Sequence, residues 1–505
     1  MQENQRNPTL GERIDKIIGI FSPKRALERS VARIKLRFME GYEAARPWRN
    51  SADWFPVDGR AEPLNQASRA QLRAKARYLE RNSDVVNSIL NAYTRNVVGK
   101  GFNLQVKTDN EEWNSLLETV WQEWSRPGNC DVTGQYSLAE MLDLIVRRKL
   151  VDGGVLAVKT YDKKFAIPYQ LQMREVDEID SYGQMQSPAG NPIVDGVEVN
   201  AVGRPVKFYL RKYDLKTFSQ VETEPVDAGR VYYLMEKTRA TQVREITPLA
   251  RAIDKTHDLD EFFEATVFKQ KINAAIAVWI TNSDTASGSV GRGSIAGGSS
   301  GGGRAAGGKR IVPGSINELA PGQDIKTLVP AGQSSELETF DLSIMRKVAA
   351  GQGLSYEQVS RDVSQVNYSS ARQNLLEDWK VFEKEQQFLI AHFLDGVFED
   401  VIRAAVLSGY IPANVVPNDF WSNPQWLKHE FIGQKMPWID PYKEALANQI
   451  MLESYQMTLK EFYGRSGRDY TETVEQIKKE KADLGALAEG QQEGVMGSNG
   501  NNNEG

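Results

Sequence analysis

Residues 353–409 read GLSYEQVSRDVSQVNYSSARQNLLEDWKVFEKEQQFLIAHFLDGVFEDVIRAAVLSG, and the two parts of this stretch follow different rules. From Gly353 to Asn367 it is polar, holds turn-forming residues and shows no sustained apolar period, which predicts a loop. From Tyr368 onward, Leu375, Trp379, Phe382, Leu389, Phe393, Val397, Val401 and Ala405 recur at spacings of three, four or seven. Residues so spaced share one face of a helix, here about ten turns long against the usual three. Ser369 or Ser370 is the expected N-cap, and Gly409 and Pro412 end the pattern. A helix of that length crosses a whole domain or is shared between subunits.

Upstream of the polar stretch, SSELETFDLSIMRKVAAGQ (334–352) predicts a shorter helix capped by Ser334 or Ser335, with Leu337, Phe340, Ile344 and Val348 along one side. Further back, residues 247–280 (TPLARAIDKTHDLDEFFEATVFKQKINAAIAVWI) run at helical spacing through Ile253, Leu259, Phe263 and Val267, with Pro248 near the first turn. Asp254, Asp258 and Glu261 fall on the opposite face, and the isolated His257 reads as a polar helix position. Between these helices Ala286–Gly308 carries 10 glycines in 23 residues, too little apolar surface for a core. Gly303 to Lys309 fits G-x-x-x-x-G-K, but Arg310 stands where a phosphate-binding loop needs Ser or Thr, and Val312-Pro313 follows instead of a helix. A nucleotide site is therefore rejected. Short strands broken by Pro-Gly turns are expected over 311–330.

Residues 64–104 read as a helical pair: Leu72, Ala76 and Leu79 stripe the first helix, and Val86, Ile89 or Leu90, Tyr93 and Val97 the second, with Asn82-Ser83 breaking and capping between them. Arg69, Arg73, Arg77 and Arg81 recur every fourth residue and share a face; a solvated face or a set of inter-subunit pairs is preferred over a phosphate-contacting stripe. Residues 105–240 alternate helices (111–126, 137–154) with strands (155–161, 168–181, 203–214). Asp177, Glu178 and Asp180 read as a solvated strand edge and not as a metal site. The first 63 residues are Arg-rich, with Trp48, Trp54 and Phe55 as aromatic anchors of an arm.

The chain has 505 residues, enough for two to four domains, and its formal charge of −5 argues against gripping nucleic acid over the whole surface. One cysteine, Cys130, leaves no intramolecular disulfide framework and is expected to be a buried thiol. No apolar run approaches the length of a membrane span, and the first residues lack the pattern of a signal peptide. A DNA-processing hydrolase would need a metal cluster or a catalytic triad. His257, His392 and His429 are scattered, and no phosphate loop is present, so no catalytic, metal or cofactor residues are assigned. A capsid scaffold or shell protein is the other class weighed, but it has no need of a polar loop set between two helices.

The block 353–379, together with NVVGKGF (96–102), VDGGVLAV (151–158), VDGVEVNAVGRPVKFYL (194–210) and PWIDPYKEA (437–445), resembles the lambda-like family of portal proteins of tailed double-stranded DNA phages. The segment before Pro248 departs slightly, because Glu245, Ile246 and Thr247 replace the Gly expected there. The resemblance covers residues 64–485 in a consistent order. It implies an α+β, mostly helical portal fold with wing, stem, clip and crown parts and a long wing-crossing helix. On that pattern residues 1–63 are an arm, 64–245 the wing, 246–280 the first stem helix and 281–333 the clip. Residues 334–353 are then the second stem helix, 354–367 the tunnel loop, 368–408 the long wing/crown helix, 409–485 the C-terminal wing and crown helices, and 486–505 a disordered tail.

The function implied is a dodecameric ring at one capsid vertex of the virion, assembled in the bacterial cytoplasm. Double-stranded DNA passes through it, without sequence specificity, during packaging and ejection. Its implied partners are the large terminase subunit, the head–tail connector and the major capsid protein, with no cofactor and no membrane. The tunnel loop would present Gln358, Ser360, Arg361, Asp362, Ser364, Gln365 and Asn367 to the DNA. Asp254, Asp258 and Glu261 would make an acidic stem face, and Leu375, Trp379, Phe382, Leu389, Phe393 and Val397 would pack the ring.

Overall fold

The computed structural model describes residues 58–181, 187–214, 216–217, 219–274, 278–282, 323–327, 334–364, 366–436, 441–465, 470 and 473–482. From Ala61 onward the chain forms one compact unit. Its first helix, α1 (Ala61–Asn82), starts three residues before the expected boundary, with Ala61 and Glu62 both buried. α2 (Asp84–Val97) follows at once and buries Val86, Ile89, Leu90, Tyr93 and Val97, the stripe read from the sequence. A short strand β1 (Asn103–Val106) leads into α3 (Glu111–Trp124), capped by the Asn110 side chain, which accepts from Trp113 N at 3.0 Å. Three tryptophans of α3, Trp113, Trp121 and Trp124, are buried.

α4 (Leu138–Val151) opens with a reciprocal capping box between Ser137 and Glu140, a device in which loss of the cap side chain typically costs about 1 kcal/mol. The chain then turns sharply at Gly153, whose φ is +90° and where a Cβ would stand only 2.5 Å from the Ile246 carbonyl carbon, leaving no room for a side chain. It enters β2 (Gly154–Tyr161), which pairs antiparallel with β3 (Tyr169–Arg174). A second sheet, the meander β4 (Ile193–Val194), β5 (Val197–Val199), β6 (Pro205–Tyr213) and β7 (Gln220–Asp227), follows. Then β8 (Val231–Met235) returns to the other edge of β2, giving the order β3-β2-β8. The meander closes a small apolar core of its own around Phe208, Leu210, Val197 and Ile179.

A 3-10 turn, Pro248–Arg251, capped by Thr247, starts α5 (Ile253–Ala274). The predicted helix to residue 280 stops short. Val278–Asn282 is a strand, β9, paired antiparallel with β10 (Gln323–Thr327). The β-branched and aromatic run Val278-Trp279-Ile280-Thr281 favours a strand over continued helix. α6 (Ser334–Gly351), a one-and-a-half-turn helix α7 (Tyr356–Ser360) and α8 (Tyr368–Leu389) come next. α8 passes through a π turn, Ile390–Leu394, into α9 (Asp395–Leu407), so the long helix is continuous over 40 residues (368–407) but carries one wide turn. Its N-cap is Asn367, not Ser369 or Ser370: the Asn367 side chain accepts from Ser370 N at 2.9 Å. β11 (His429–Ile432) pairs with β1, and α10 (Pro441–Glu453) and α11 (Leu459–Arg465) follow.

The main core lies where α2, α3, α4 and the β3-β2-β8 sheet meet the long helix from Phe382 onward, around Phe382, Leu389, Phe393, Val397 and Phe398. The architecture is thus α+β and mostly helical, as expected. The arm with Trp48, Trp54 and Phe55, the Gly-rich stretch 286–308, the Gly303–Lys309 decoy, Gln365, Asp440 and the tail 486–505 lie outside the described residues.

Candidate functional site

The polar stretch between α6 and α8 is only half a loop. Leu354 and Val359 are buried, and between them the chain winds into α7. Ser355 caps α7, accepting from Gln358 N at 3.3 Å, and itself donates to Asp378 from its main-chain N at 2.7 Å and its hydroxyl at 2.5 Å. The Ser88 hydroxyl of α2 donates to the Val359 carbonyl at 2.5 Å, and Asn374 of α8 donates to Glu357 at 2.9 Å. Gln358 and Ser360 therefore ride on a docked helix and not in a free loop. The apolar anchors Leu354 and Val359 and the Ser355 cap overrode the polar composition.

α7 ends at Arg361, which takes the left-handed conformation (φ +59°) and donates its N–H to the Glu357 carbonyl at 2.8 Å. From there Arg361, Asp362, Val363 and Ser364 are exposed and form the tip, and Asn367, also exposed, is held as the N-cap of α8. Asp362 accepts from Ser364 N at 2.9 Å, and this backbone bond holds its carboxyl below the usual range.

The long helix is divided. Phe382, Leu389, Phe393 and Val397 are fully buried, but Leu375 and Trp379 are only half-buried, and Tyr368 and Leu376 are 48% and 37% exposed. Its first three turns lean on little of their own chain. The exception is Asp378, 3% exposed, whose carboxyl burial pushes above the ordinary range despite the Ser355 bonds. Sequence reasoning missed it, although the signal was there: Asp378 stands three residues after Leu375 and four before Phe382, on the apolar stripe itself.

α5 shows the same division. Of the residues at helical spacing, Ile253 and Leu259 are buried, whereas Phe263 and Val267 are 45% and 49% exposed, beside Phe268 at 66%. Phe262 meets Phe340 of α6 at 4.6 Å between ring centroids. Asp254, Asp258 and Glu261 are all exposed, with Asp254 3.6 Å from Lys75 and Glu261 3.3 Å from His257.

Three of the four ladder arginines of α1 are neither solvated nor free for phosphate. Arg69 bonds Glu62 (2.6 Å), Asp195 and the Glu245 carbonyl (3.0 Å). Arg73 reaches Glu245 at 3.4 Å, and Arg77 bridges Asp152 (2.7 Å), Glu175 and Asp177 (both 2.9 Å). Burial opposes the charge on Arg77, but Asp152 and Asp177 outweigh it and raise its pKa. Arg244, completely buried, pairs with Glu245 at 2.8 Å. Only Arg81 of the ladder stays exposed. Asp177, Glu178 and Asp180, expected at a solvated edge, are likewise committed, to Arg77, Arg174 and Arg211. These charges pin α1 to both sheets. Cys130 is buried, as read, and burial pushes its thiol up to about 12. Among the described residues no group of His, Cys, Asp and Glu gathers into a metal site, and no helix is long and apolar enough to cross a membrane.

Residues 48–386 match the lambda family of phage portal proteins. A probable portal protein of Halomonas phage phiHAP-1 is 22% identical over 466 residues, covering 87% of this chain and 86% of that protein. Portal protein B of Escherichia phage lambda is 22% identical over 448 residues, covering 81% and 82%. A chain in the virion of a native gene transfer agent particle superposes with a TM-score of 0.42 at 14% identity, covering 83% of this chain and 96% of that one.

Proposed function

Because this chain belongs to the lambda family of phage portal proteins, we propose that it assembles into a dodecameric ring at one vertex of a phage head. Double-stranded DNA enters through the ring during packaging and leaves through it at ejection. In this reading the ring docks the large terminase subunit while the head fills, meets the head–tail connector afterwards, and is surrounded by the major capsid protein. It is a structural part of the virion and hydrolyses no ATP itself.

The observation that carries the reading is the division of the long helix. From Phe382 onward it is fixed in the core of its own chain, while its first three turns, Asp378 apart, stand half-bare, with the polar residues Arg361, Asp362, Ser364 and Asn367 leading into them. Apolar side chains left exposed on α5 and on the first turns of α8 are what neighbouring copies would cover. The acidic α5 face, Asp254, Asp258 and Glu261, would repel a duplex and keep it centred, and the tip would touch it without a salt-sensitive grip.

Native mass spectrometry of the purified protein tests this. A closed ring of about twelve subunits is expected; a monomer, a dimer or an open shell lattice overturns it.

A further inference from the structure

His429 opens β11 with its side chain only 8% exposed, tilted over Phe398 at 4.3 Å and edge-on to Phe431 at 5.3 Å between ring centroids. Both ring nitrogens face oxygens: Nδ1 lies 2.7 Å from the Leu427 carbonyl and Nε2 lies 3.2 Å from the Asp395 carboxylate. A carbonyl and a carboxylate only accept, and a neutral imidazole carries a single N–H. The doubly protonated ring fills both contacts. The neutral ring leaves one nitrogen lone pair pointing at an oxygen.

The wide turn of the long helix is what brings Asp395 to this ring. The Asp395 N–H donates to the Ile390 carbonyl, the five-residue bond that makes Ile390–Leu394 a π turn. An α-helix rotates about 100° per residue, so the extra residue turns Asp395 by that angle relative to α8 and onto His429. The other charges around the ring are engaged or face elsewhere. Lys428 and Glu430 alternate to the opposite side of the strand, where Glu430 pairs with Lys107 of β1. Val106 of β1 stands across from His429, and Glu118 of α3 accepts from its N–H at 2.8 Å. On the long helix Glu399 pairs with Arg403 at 2.8 Å and Asp400 with Lys159 at 2.7 Å. His392, on the π turn itself, is exposed beside the Phe388 ring.

We propose that His429 and Asp395 form a proton-dependent latch between the β1–β11 ribbon and the long helix. It is closed while the ring carries both protons and loosened when the ring loses one. Histidine is the side chain that exchanges a proton between about pH 5 and 8. The chain reaches α10 and α11 by way of β11, so the latch acts on the seat of those helices. A second tie, the Gln386 amide donating to the Gln434 carbonyl at 3.0 Å, holds no titratable group. The sign follows from the contacts: the bond of the charged ring to Asp395 is present in mild acid and is lost as pH rises and the ring becomes neutral.

The test is amide exchange of the full-length assembled protein, read by mass spectrometry at about pH 6 and about pH 8. Rates are corrected for the chemical pH dependence of exchange, with β6 as internal reference. In wild type, opening of 429–432 should rise about fivefold between the two conditions. D395N offers an amide that can donate to a neutral Nε2, so its opening should be the same in both. H392Q should behave as wild type, and H429Q should open more readily than wild type in mild acid and show no pH dependence. Equal opening of wild type at both pH values overturns the latch. A pH dependence that survives in D395N or disappears in H392Q overturns it as well. Should H429Q fail to fold, the comparison of D395N with H392Q still decides.

Discussion

Asp378 receives both polar groups of Ser355, the main-chain N–H at 2.7 Å and the hydroxyl at 2.5 Å, in a position where its own side chain is almost wholly buried. One carboxylate thus ties the start of α7 to the long helix. The helix it anchors, capped by Ser355, is too short to persist on its own.

Replacing Asp378 with Ala leaves Ser355 without its acceptor and is expected to cost about 2 kcal/mol. Amide exchange over 354–360 should quicken while exchange in α9 stays slow. The pH dependence has a definite sign. Burial raises the folded pKa of this carboxyl above the ordinary 3.8, so the penalty for its charge is present at neutral pH and is relieved as pH falls through the raised value. Wild type should therefore gain stability relative to D378N on acidification, until the pH nears the unfolded value. A constant difference across that range would show that the carboxyl is not perturbed.

Glu245 behaves in the opposite way. Burial disfavours its charge, but Arg244 beside it, helped by Tyr233 and Arg69, holds its carboxyl below the ordinary 4.5. A depressed folded pKa contributes stability above the unfolded value and loses it as pH falls through the folded one. Glu245→Gln strands Arg244 inside the protein and should cost about 3–5 kcal/mol at neutral pH, measured by urea unfolding. The gap between wild type and E245Q should narrow as the pH drops below the unfolded value. A cost under about 1 kcal/mol would mean that the remaining acids, Asp195 among them, neutralise Arg244 alone.

How much of this was legible in the sequence depended on how far apart the interacting residues stand. The long helix, α2, α3 and α4 were readable because their apolar residues repeat within one element. The π turn at Ile390–Leu394 was not, because a single extra residue barely disturbs a pattern of threes and fours. The Arg69–Arg77 ladder was seen, but its partners were not: Asp195 and Glu245 lie more than a hundred residues away in sequence, and only the fold brings them to α1. α7 was hidden for a different reason, since five polar-looking residues carry too little period to outweigh the composition around them.

Phe382 and Trp379 were read as one ring-packing stripe, and the structure assigns them different surroundings. Phe382 is wholly buried against Tyr93, ring centroids 5.5 Å apart and edge-on, and its truncation to Ala should cost about 3–5 kcal/mol within a single chain. Trp379 is half-buried at 6.1 Å from Phe382. Trp379→Ala should lower chain stability less than Phe382→Ala but weaken assembly, giving more free subunits by native mass spectrometry at equal concentration. Equal effects on assembly and stability from both would place Trp379 in the chain's own core.

The tip offers the most direct check on function. Its foot is fixed by Asp378, Ser88 and Asn374, so in the channel proposed above the exposed residues Arg361, Asp362 and Ser364 are the ones left to meet a duplex. Arg361 occupies a left-handed backbone position that a non-glycine residue rarely takes, and that conformation ends α7 there. Asp362 is turned back onto Ser364 N, which leaves Arg361 as the exposed cation of the tip and Ser364, Gln365 and Asn367 as its neutral polar groups. In the proposed channel, contacts of this kind would form and break as DNA slides. Changing Arg361 and Gln365 to Ala removes them without touching the foot. Rings should assemble with unchanged thermal stability, and the DNA packaged per head should fall. Normal packaging and ejection in the double variant, or rings that fail to form, would remove the tip from the DNA path.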